Sequence, residues 1–273
     1  MYRRRLLDLI SNASNNPGSM TIDDLINKIL SLDGNVKVSI KIKKSTKEDD
    51  EDESIIEKEE DQHPLIYLVR HGATTDVDNN VHGWLNIPLS GKGKAEAQEV
   101  GEKLASNDIH IDRIYSSDMK RTEETARIIG SYLGIDKIIP VFDLRSWNSG
   151  VYEGKPVKQS LPELHKYVEN PNEKIPDGES FNDFRYRFLS YLSDMIWRAK
   201  KNNEVYMLVA HYRNLKITKA WIAQGAENSF DIDTKDFLEY DPDISPTSVF
   251  VLFEDEDGDL HMEELLPKEE EVK

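Results

Sequence analysis

The chain has 273 residues, with 35 Lys and Arg against 52 Asp and Glu, which gives a formal net charge of −17. This balance disfavours a general nucleic-acid binder, because such a protein needs a basic face that releases counterions from phosphates. The absence of cysteine excludes disulfide scaffolds, thiolate zinc sites and cysteine nucleophiles.

The amino-terminal sequence MYRRRLLDLISNAS starts with basic residues, but Asp8 interrupts its short apolar stretch. A secretory signal needs a longer apolar segment, and a membrane span needs about 18 consecutive apolar residues, which no part of the chain provides. We therefore expect a soluble, cytoplasmic protein that does not bind membranes.

Residues 1–47 are predicted to form a small extension, with a helix at 21–30 and an alternating strand at 36–42. So few elements cannot build a stable core alone. The extension would then pack on a protein partner, on the main domain or on its own copy. A solvated extension without a function of its own fits the sequence equally well.

An acidic segment follows this extension, because residues 48–62 carry ten acidic residues and one Lys. Like charges repel and little apolar surface is present to bury, so the segment predicts an extended, solvated linker over residues 48–63. The alternative is an acidic docking tail. The main domain is predicted to span residues 64–273.

In the main domain, apolar runs alternate with helical patterns. Strands are predicted at 65–70, 111–117, 204–211, 248–255 and 260–266, and helices at 92–106, 119–134 and 181–201. This alternation is typical of an α/β three-layer sandwich, in which helices cover both faces of a mostly parallel central sheet. The last two strands would form an antiparallel hairpin at its edge.

Two of these predicted strands end in a histidine, His71 and His211. Ligands of open α/β sheets bind beyond the carboxyl ends of the strands. One such histidine is more often a packing residue, but two of them, with Arg70 and Arg121 nearby, indicate an anion site. Guanidinium groups bind phosphate well, and a neutral imidazole can attack phosphorus. Gly72 would let the backbone approach closely and lend an N–H.

Five sequence blocks occur in order: LVRHGATT, GWLNIPLSGKGKAEA, YSSDMKRTEETA, PDGES and LVAHYRN. Together they resemble the histidine phosphatase superfamily, which has the phosphoglycerate-mutase-like fold, over residues 65–254. Residues 1–63 lie outside the resemblance.

The resemblance implies a role for each matching residue. His71 would be the phosphorylated nucleophile, and Arg70 and Arg121 would clamp the phosphate. His211 would donate to the phosphate oxygens in the transition state, and Thr74 matches a Ser or Thr that helps to bind phosphate. The substrate would be a small phosphorylated molecule. We expect no cofactor and no metal, because the histidines show no H-x-x-x-H pair.

The chain departs from the family where a glutamate usually protonates the leaving oxygen. In the block LRSWNSGVYEG this position is Ser146, whose hydroxyl is far too weak an acid for that role. The candidates for a substitute are Asp143, Glu153 and Glu179. Each also has a structural interpretation. Asp143 could cap a turn, Glu153 matches a position that the family commonly fills with Glu for structure, and Glu179 could cap the long helix.

Two further departures concern the pocket. Val77 stands where the family usually has Asn, and Asn79 and Asn80 could replace the lost amide. Tyr212 and Arg213 follow His211 where Gly-Gly is common. Arg213 would either add a cation to the pocket or lie on the surface of the next helix.

Three functions therefore compete. The first is a metal-independent phosphatase that hydrolyses phosphomonoesters through a phosphohistidine. The second, motivated by Ser146, is a catalytically impaired phosphate-binding or structural member of the fold. A phosphoglycerate mutase is less favoured, because a mutase must hold two phosphates and keep water out, and the changes at Ser146 and Val77 argue against such a site.

Overall fold

The computed structural model describes residues 63–76, 78–225, 229–239 and 242–265. The extension predicted at 1–47 and all but the last residue of the predicted linker lie outside these ranges, as does Val77. No helix among the described residues combines the length and the apolar character needed to cross a membrane.

A central sheet of six strands organises the described residues. The strands are β1 (Pro64–Arg70), β2 (Arg113–Ser117), β3 (Ile138–Val141), β4 (Tyr206–Ala210), β5 (Val249–Glu254) and β6 (Leu260–Glu264). Their order is β3-β2-β4-β1-β5-β6. The first four in this order run parallel, whereas β5 pairs antiparallel with both β1 and β6. The predicted α/β class, with a mostly parallel sheet and an antiparallel hairpin at one edge, is confirmed.

Helices form the two outer layers. They are α1 (Gly91–Ser106), α2 (Lys120–Tyr132), α3 (Val157–Glu169), α4 (Phe181–Asn202), α5 (Tyr212–Ala223) and α6 (Thr234–Glu239). Successive side chains of a strand point to opposite faces. Tyr67 and Val69 of β1 therefore join the core under α1 and α2, while Ile66 and Leu68 join the core under α4 and α5. Burial on both faces explains why β1 is a continuous apolar run.

Side-chain caps fix where two of the long helices begin. The Ser90 hydroxyl accepts from the Gly93 N–H at the start of α1, so the glycine-rich GKGK segment is the first turn of a helix. Ser180 and Asp183 form a reciprocal capping box at the start of α4. Such caps satisfy backbone donors that the helix itself leaves unpaired.

The sequence signals for four elements are weak, and the sequence does not predict where they begin and end: β3, α3, α5 and α6. The strand β3 has only four residues and includes Pro140. The helix α3 contains Pro162 in its interior, which sequence rules treat as a helix breaker. It forms nonetheless, because Leu164 and Val168 on one of its faces are buried in the core.

The topology brings three strand ends together. Because β4 lies between β2 and β1, the carboxyl ends of these parallel strands are neighbours. Arg70 pairs with Ala210 in register, and the N–H of His71 donates to the Ala210 carbonyl at 3.1 Å. The two histidines that follow β1 and β4 are therefore adjacent at one edge of the sheet, where sites of this class form.

We predict that residues 1–62 are dispensable for the stability and chemistry of the main domain. The described strands pair with one another and are covered on both faces. A shortened chain that begins at His63 should keep the melting temperature and the turnover of the full chain. A large drop in melting temperature on truncation would show instead that the extension belongs to the core of this domain.

Candidate active site

His71 is a buried histidine immediately after β1. Its Nδ1 lies 2.8 Å from the carbonyl oxygen of Gly72. Because a carbonyl can only accept, Nδ1 must carry the proton, which leaves the lone pair on Nε2. Burial, together with the positive charges of Arg121 and Arg70, holds the pKa of His71 well below its usual value. The ring is therefore a neutral imidazole with Nε2 available as a nucleophile.

Gly72 has a different role from the predicted one. Its N–H donates to the Thr125 hydroxyl of α2 at 3.1 Å, so in this arrangement it is not offered to a phosphate. A Cβ atom at position 72 would lie 2.5 Å from the Gly93 carbonyl oxygen. The close approach that requires glycine is thus to the first turn of α1. Thr125 was not singled out from the sequence.

Arg121 lies in the first turn of α2, and its side chain spans the site. Its Nη1 and Nη2 donate to the carbonyls of Leu85 and Gly83 at 2.7 and 2.9 Å, and its Nε donates to Nδ1 of His211 at 3.2 Å. A guanidinium has five N–H groups, so two remain for a ligand. Burial lowers the pKa of Arg121 to about 10, and the group stays charged at neutral pH.

Arg70 is the last residue of β1, and it lines the same cavity as His71 and Arg121. Its Nη1 donates to the carbonyl of Ile244, and its guanidinium lies 5.4 Å from the centre of the Tyr212 ring. Its Nε is a buried donor that finds no hydrogen-bond acceptor among the described residues. Buried donors are rarely left unpaired, and a phosphate oxygen would give this one an acceptor.

His211 follows β4, and its ring centre lies 5.2 Å from that of His71. Since its Nδ1 accepts from Arg121, the proton is on Nε2, which donates to the Ser117 hydroxyl at 3.1 Å. Burial and the Arg121 charge hold the pKa of His211 well below its usual value. Ser117, at the end of β2, is a member of the site that the sequence did not reveal.

These groups open onto one cavity of about 480 Å³. Arg70, His71, Arg121 and His211, the four residues that the sequence predicts as catalytic, all line its wall. Its other polar side chains belong to Asn79, Asn80, His82, Ser146, His165, Arg213 and Lys216. Apolar side chains come largely from α3 and α6, and the apolar residues of the wall are Val81, Trp147, Val157, Leu161, Leu164, Val168, Phe181, Tyr212, Phe237 and Leu238.

Of the other predicted site residues, Thr74, Asp143 and Glu153 do not line this cavity. Thr74 forms an isolated antiparallel bridge with Leu89. Asp143 lies in a short 3-10 turn at Phe142–Leu144. Glu153 turns its Oε1 towards the N–H groups of Trp84 and Ser149, at 2.7 and 3.2 Å, and burial raises its pKa.

Arg213 and the two asparagines do reach the cavity wall. Arg213 donates to the Ser149 hydroxyl at 3.1 Å and lies 5.3 Å from the centre of the Trp147 ring. Burial lowers its pKa to about 10, so it brings a positive charge to the wall. Of the two interpretations of Arg213, the structure supports the pocket rather than the surface of the helix. The Trp147 ring itself packs edge-on against the ring of Phe181.

Glu179 is part of an ion pair that holds the Ser146 segment. Arg187 binds both of its carboxylate oxygens, at 2.9 and 3.0 Å. The same guanidinium donates to the carbonyls of Asp143, Arg145 and Ser146 at 2.9, 3.2 and 3.2 Å. Glu179 therefore has a positioning role and neither caps a helix nor faces the cavity. Nothing in the sequence singles out Arg187, which is one of several cations on a long amphipathic helix.

His82 also lines the cavity, and the sequence assigns it no role. Its Nε2 lies 3.0 Å from Oδ2 of Asp76. The side chains of His82 and Asp76 are 23% and 11% exposed, so the pair is largely shielded from water. Within the described residues no group of three or more His, Asp or Glu side chains is arranged to hold a metal ion.

The sequence model of the histidine phosphatase superfamily, branch 1, matches residues 66–235. A probable phosphoglycerate mutase GpmB from Enterobacter sp. (strain 638) is 34% identical over 137 residues, which cover 48% of this chain and 62% of that protein. Phosphoglycerate mutase-like protein 4 from Arabidopsis thaliana is 34% identical over 119 residues, covering 42% and 51% respectively. The matches thus span no more than 62% of the length of these curated relatives.

Solved structures share the fold. Bacillus stearothermophilus YhfR superposes with a TM-score of 0.58 at 26% identity, covering 73% of this chain and 95% of that protein. Mycobacterial glucosyl-3-phosphoglycerate phosphatase gives a TM-score of 0.59 at 20% identity, with 76% and 99% coverage. The alpha-ribazole phosphatase from Shigella flexneri gives 0.58 at 19% identity, with 73% and 95% coverage.

We predict that Arg187→Met destabilises the domain strongly. The substitution leaves Glu179 shielded and unpaired, which typically costs about 3–5 kcal/mol. The matched control is Arg198→Met, which removes an ion pair with Asp194 on the exposed face of the same helix and should cost about 1 kcal/mol or less. Urea unfolding measures both. Similar losses in the two variants would show that the Arg187–Glu179 pair has no special role.

Proposed function

Because this chain belongs to the histidine phosphatase superfamily, branch 1, we propose that it is a metal-independent phosphatase that hydrolyses phosphomonoesters through a phosphohistidine at His71. One observation carries the proposal. The neutral His71 ring holds its proton on Nδ1, against the Gly72 carbonyl, and shares a cavity with Arg70, Arg121 and His211. A free Nε2 beside two guanidinium groups is what nucleophilic attack on a phosphate dianion requires.

In the first half of the reaction, Arg70 and Arg121 bind the non-bridging oxygens of the substrate phosphate. Nε2 of His71 then attacks phosphorus, and the bond to the leaving oxygen breaks. Charge spreads over the equatorial oxygens during transfer, so donors fixed in advance lower the barrier. His211 can turn its Nε2–H from Ser117 to one of these oxygens.

In the second half, water attacks the phosphorus of the phosphohistidine and the P–N bond breaks. The bond electrons return to Nε2 of His71, which restores the neutral ring, and inorganic phosphate leaves. The Gly72 carbonyl keeps the Nδ1 proton in place through both halves. Each step uses side chains of this chain and water alone.

The cavity wall favours a substrate with apolar surface in its organic part. Its volume of about 480 Å³ exceeds what a phosphate fills, and α3 and α6 line it mainly with apolar side chains. Burial of these groups against a matching ligand surface would contribute to binding.

A mutase is the second candidate, because Arg213 and His165 on the same wall could hold a second anion, and because curated relatives are named probable phosphoglycerate mutases. A third candidate, an impaired phosphate-binding protein, is favoured by Ser146, which lies on the wall where the family resemblance places an acid. The fate of the phosphoryl group separates the three. It passes to water in a phosphatase and to an added phosphoglycerate in a mutase, and an impaired protein forms little phosphoenzyme.

We predict that His71→Ala abolishes both turnover and phosphoenzyme formation while the protein stays folded. Para-nitrophenyl phosphate is the suitable substrate, because its leaving group needs little protonation. With a 32P-labelled phosphoryl group, the wild type should give an acid-labile, protein-bound label and a burst of nitrophenol. Circular dichroism controls for folding. Label that persists in the alanine variant would place the nucleophile elsewhere.

We also predict that the His71 ring stays neutral at pH values well below the ordinary pKa of histidine. A depressed pKa means that the nucleophilic form persists as the pH falls past 6.5 and is lost only at a lower pH. The unfolded chain binds this proton more readily, so stability should decrease as the pH falls below about 6.5. NMR titration of the histidine rings tests this, with His71→Ala assigning the signal. A His71 pKa at or above 6.5 would contradict the prediction.

A further inference from the structure

We propose that His82, oriented by Asp76, is the general acid that protonates the leaving oxygen, in place of the carboxyl group that the chain lacks at Ser146. This inference rests on the proposed phosphatase reaction and assigns one of its missing parts. Without a proton donor, an alkyl phosphate would have to expel an alkoxide, and general acids typically contribute roughly 10²–10⁴-fold to such steps.

The position of His82 supports this role. It shares the cavity wall with His71, Arg121 and Ser146. The residue that follows it, Gly83, accepts a hydrogen bond from Nη2 of Arg121 at 2.9 Å. The backbone beside His82 is therefore anchored to the group that would clamp the phosphate, which holds the loop that carries the imidazole close to the phosphate site.

Asp76 fixes the ring and its tautomer. The Asp76 carboxylate is held in place by the N–H and side-chain amide of Asn80, both at 3.1 Å, and by the N–H of Asp78 at 3.0 Å. Because Oδ2 lies 3.0 Å from Nε2 of His82, that nitrogen carries a proton. The other ring nitrogen, Nδ1, has no hydrogen-bond partner among the described residues. A second proton on the ring would be at Nδ1, the atom left for the substrate.

The charges around His82 make its protonation depend on the substrate. Burial and the positive charges of Arg121 and Arg70 lower the pKa of His82, while Asp76 raises it. The Glu153 carboxylate lies against Gly83, the residue that follows His82. A phosphate dianion bound between the two arginines would offset their charge and favour the imidazolium. The acid would thus be loaded when substrate binds.

In the proposed reaction His82 gives up a proton in the first step and recovers one in the second. Nε2 of His71 attacks phosphorus, the bond from phosphorus to the leaving oxygen breaks, and Nδ1–H of His82 gives its proton to that oxygen, which leaves as an alcohol. In the second step His82, now neutral, takes a proton from water as the water oxygen attacks phosphorus. The P–N bond breaks, hydrogen phosphate leaves, and both histidines return to their starting states.

The chain offers a matched control for this pair. His110 and Asp112 form another His–Asp contact of 3.0 Å, but it lies on the surface and neither residue lines the cavity. A comparison of the two pairs therefore separates an effect that any His–Asp contact would have from an effect that requires a position in the cavity.

The experiment compares His82→Gln with His110→Gln in the full chain on two substrates, p-nitrophenyl phosphate and 2-phenylethyl phosphate. For His82→Gln we expect turnover of the alkyl ester to fall roughly 10²–10⁴-fold, the usual size of a general-acid contribution, and turnover of the aryl ester to change little. His110→Gln should match the wild type on both. Equal losses on the two esters, or no loss on either, would overturn the assignment.

A second variant, Asp76→Asn, keeps the test decisive if His82→Gln folds poorly. It retains the imidazole but removes the negative charge that favours the second ring proton, the one on Nδ1. Turnover of the alkyl ester should fall selectively, and the pH at which its rate declines on the alkaline side should move lower. An unshifted alkaline limb in Asp76→Asn would contradict the proposal.

Labelling of His71 by p-nitrophenyl phosphate separates the two levels of inference. Label that forms in both variants, combined with a uniform effect on the two esters, would leave the phosphatase proposal standing and remove His82 from it. A wild type that forms no phosphohistidine would overturn both.

Discussion

The Arg121 guanidinium is the charge around which the site is built. It is 1% exposed, and an isolated ion at such depth would be very costly to bury. Two backbone carbonyls and His211 accept its hydrogen bonds, but no carboxylate forms a salt bridge with it among the described residues. Carbonyl dipoles compensate a cation only partly, so the charge remains available to an anion. The same charge lowers the pKa of His71, His82 and His211.

This arrangement links the fold to the chemistry. The parallel pairing of β4 with β1 and β2 brings His71, His211 and Ser117 to one sheet edge, and α2 delivers Arg121 from its first turn. Hydrogen bonds from Arg121 then tie the loop at 83–85 to the same point. Neutral imidazoles beside a fixed cation suit the proposed role of His71, because a nucleophile must stay unprotonated until a dianionic substrate binds.

The strand ends and the residues that follow them were predictable, because a buried parallel strand is an apolar run and its end is marked by the first polar side chain. His71, His211 and Arg70 follow from that rule, whereas Arg121 lies in the first turn of the helix after β2 and was singled out as a cation close to a strand end. The roles of Gly72 and Glu179 do not, since each depends on a contact with another element: Gly72 with the first turn of α1, and Glu179 with Arg187 eight residues along the chain. The cavity wall from α3 was hidden by Pro162, because local helix rules carry no information about burial.

His82 was missed for a related reason, since a histidine in a loop has no periodicity and its partner Asp76 lies six residues away in an irregular segment. Its use as an acid would change the electrostatics of the second half of the reaction. A carboxylic acid that has given up its proton becomes an anion. In a buried site this anion repels the negatively charged phosphoryl group of the phosphohistidine beside it. An imidazolium that has given up its proton becomes neutral, so it leaves the positive field of Arg121 and Arg70 undiminished while water attacks. With that difference, the chain can lack the usual carboxyl group at Ser146 and still supply a proton, provided that the substrate brings the negative charge that loads His82.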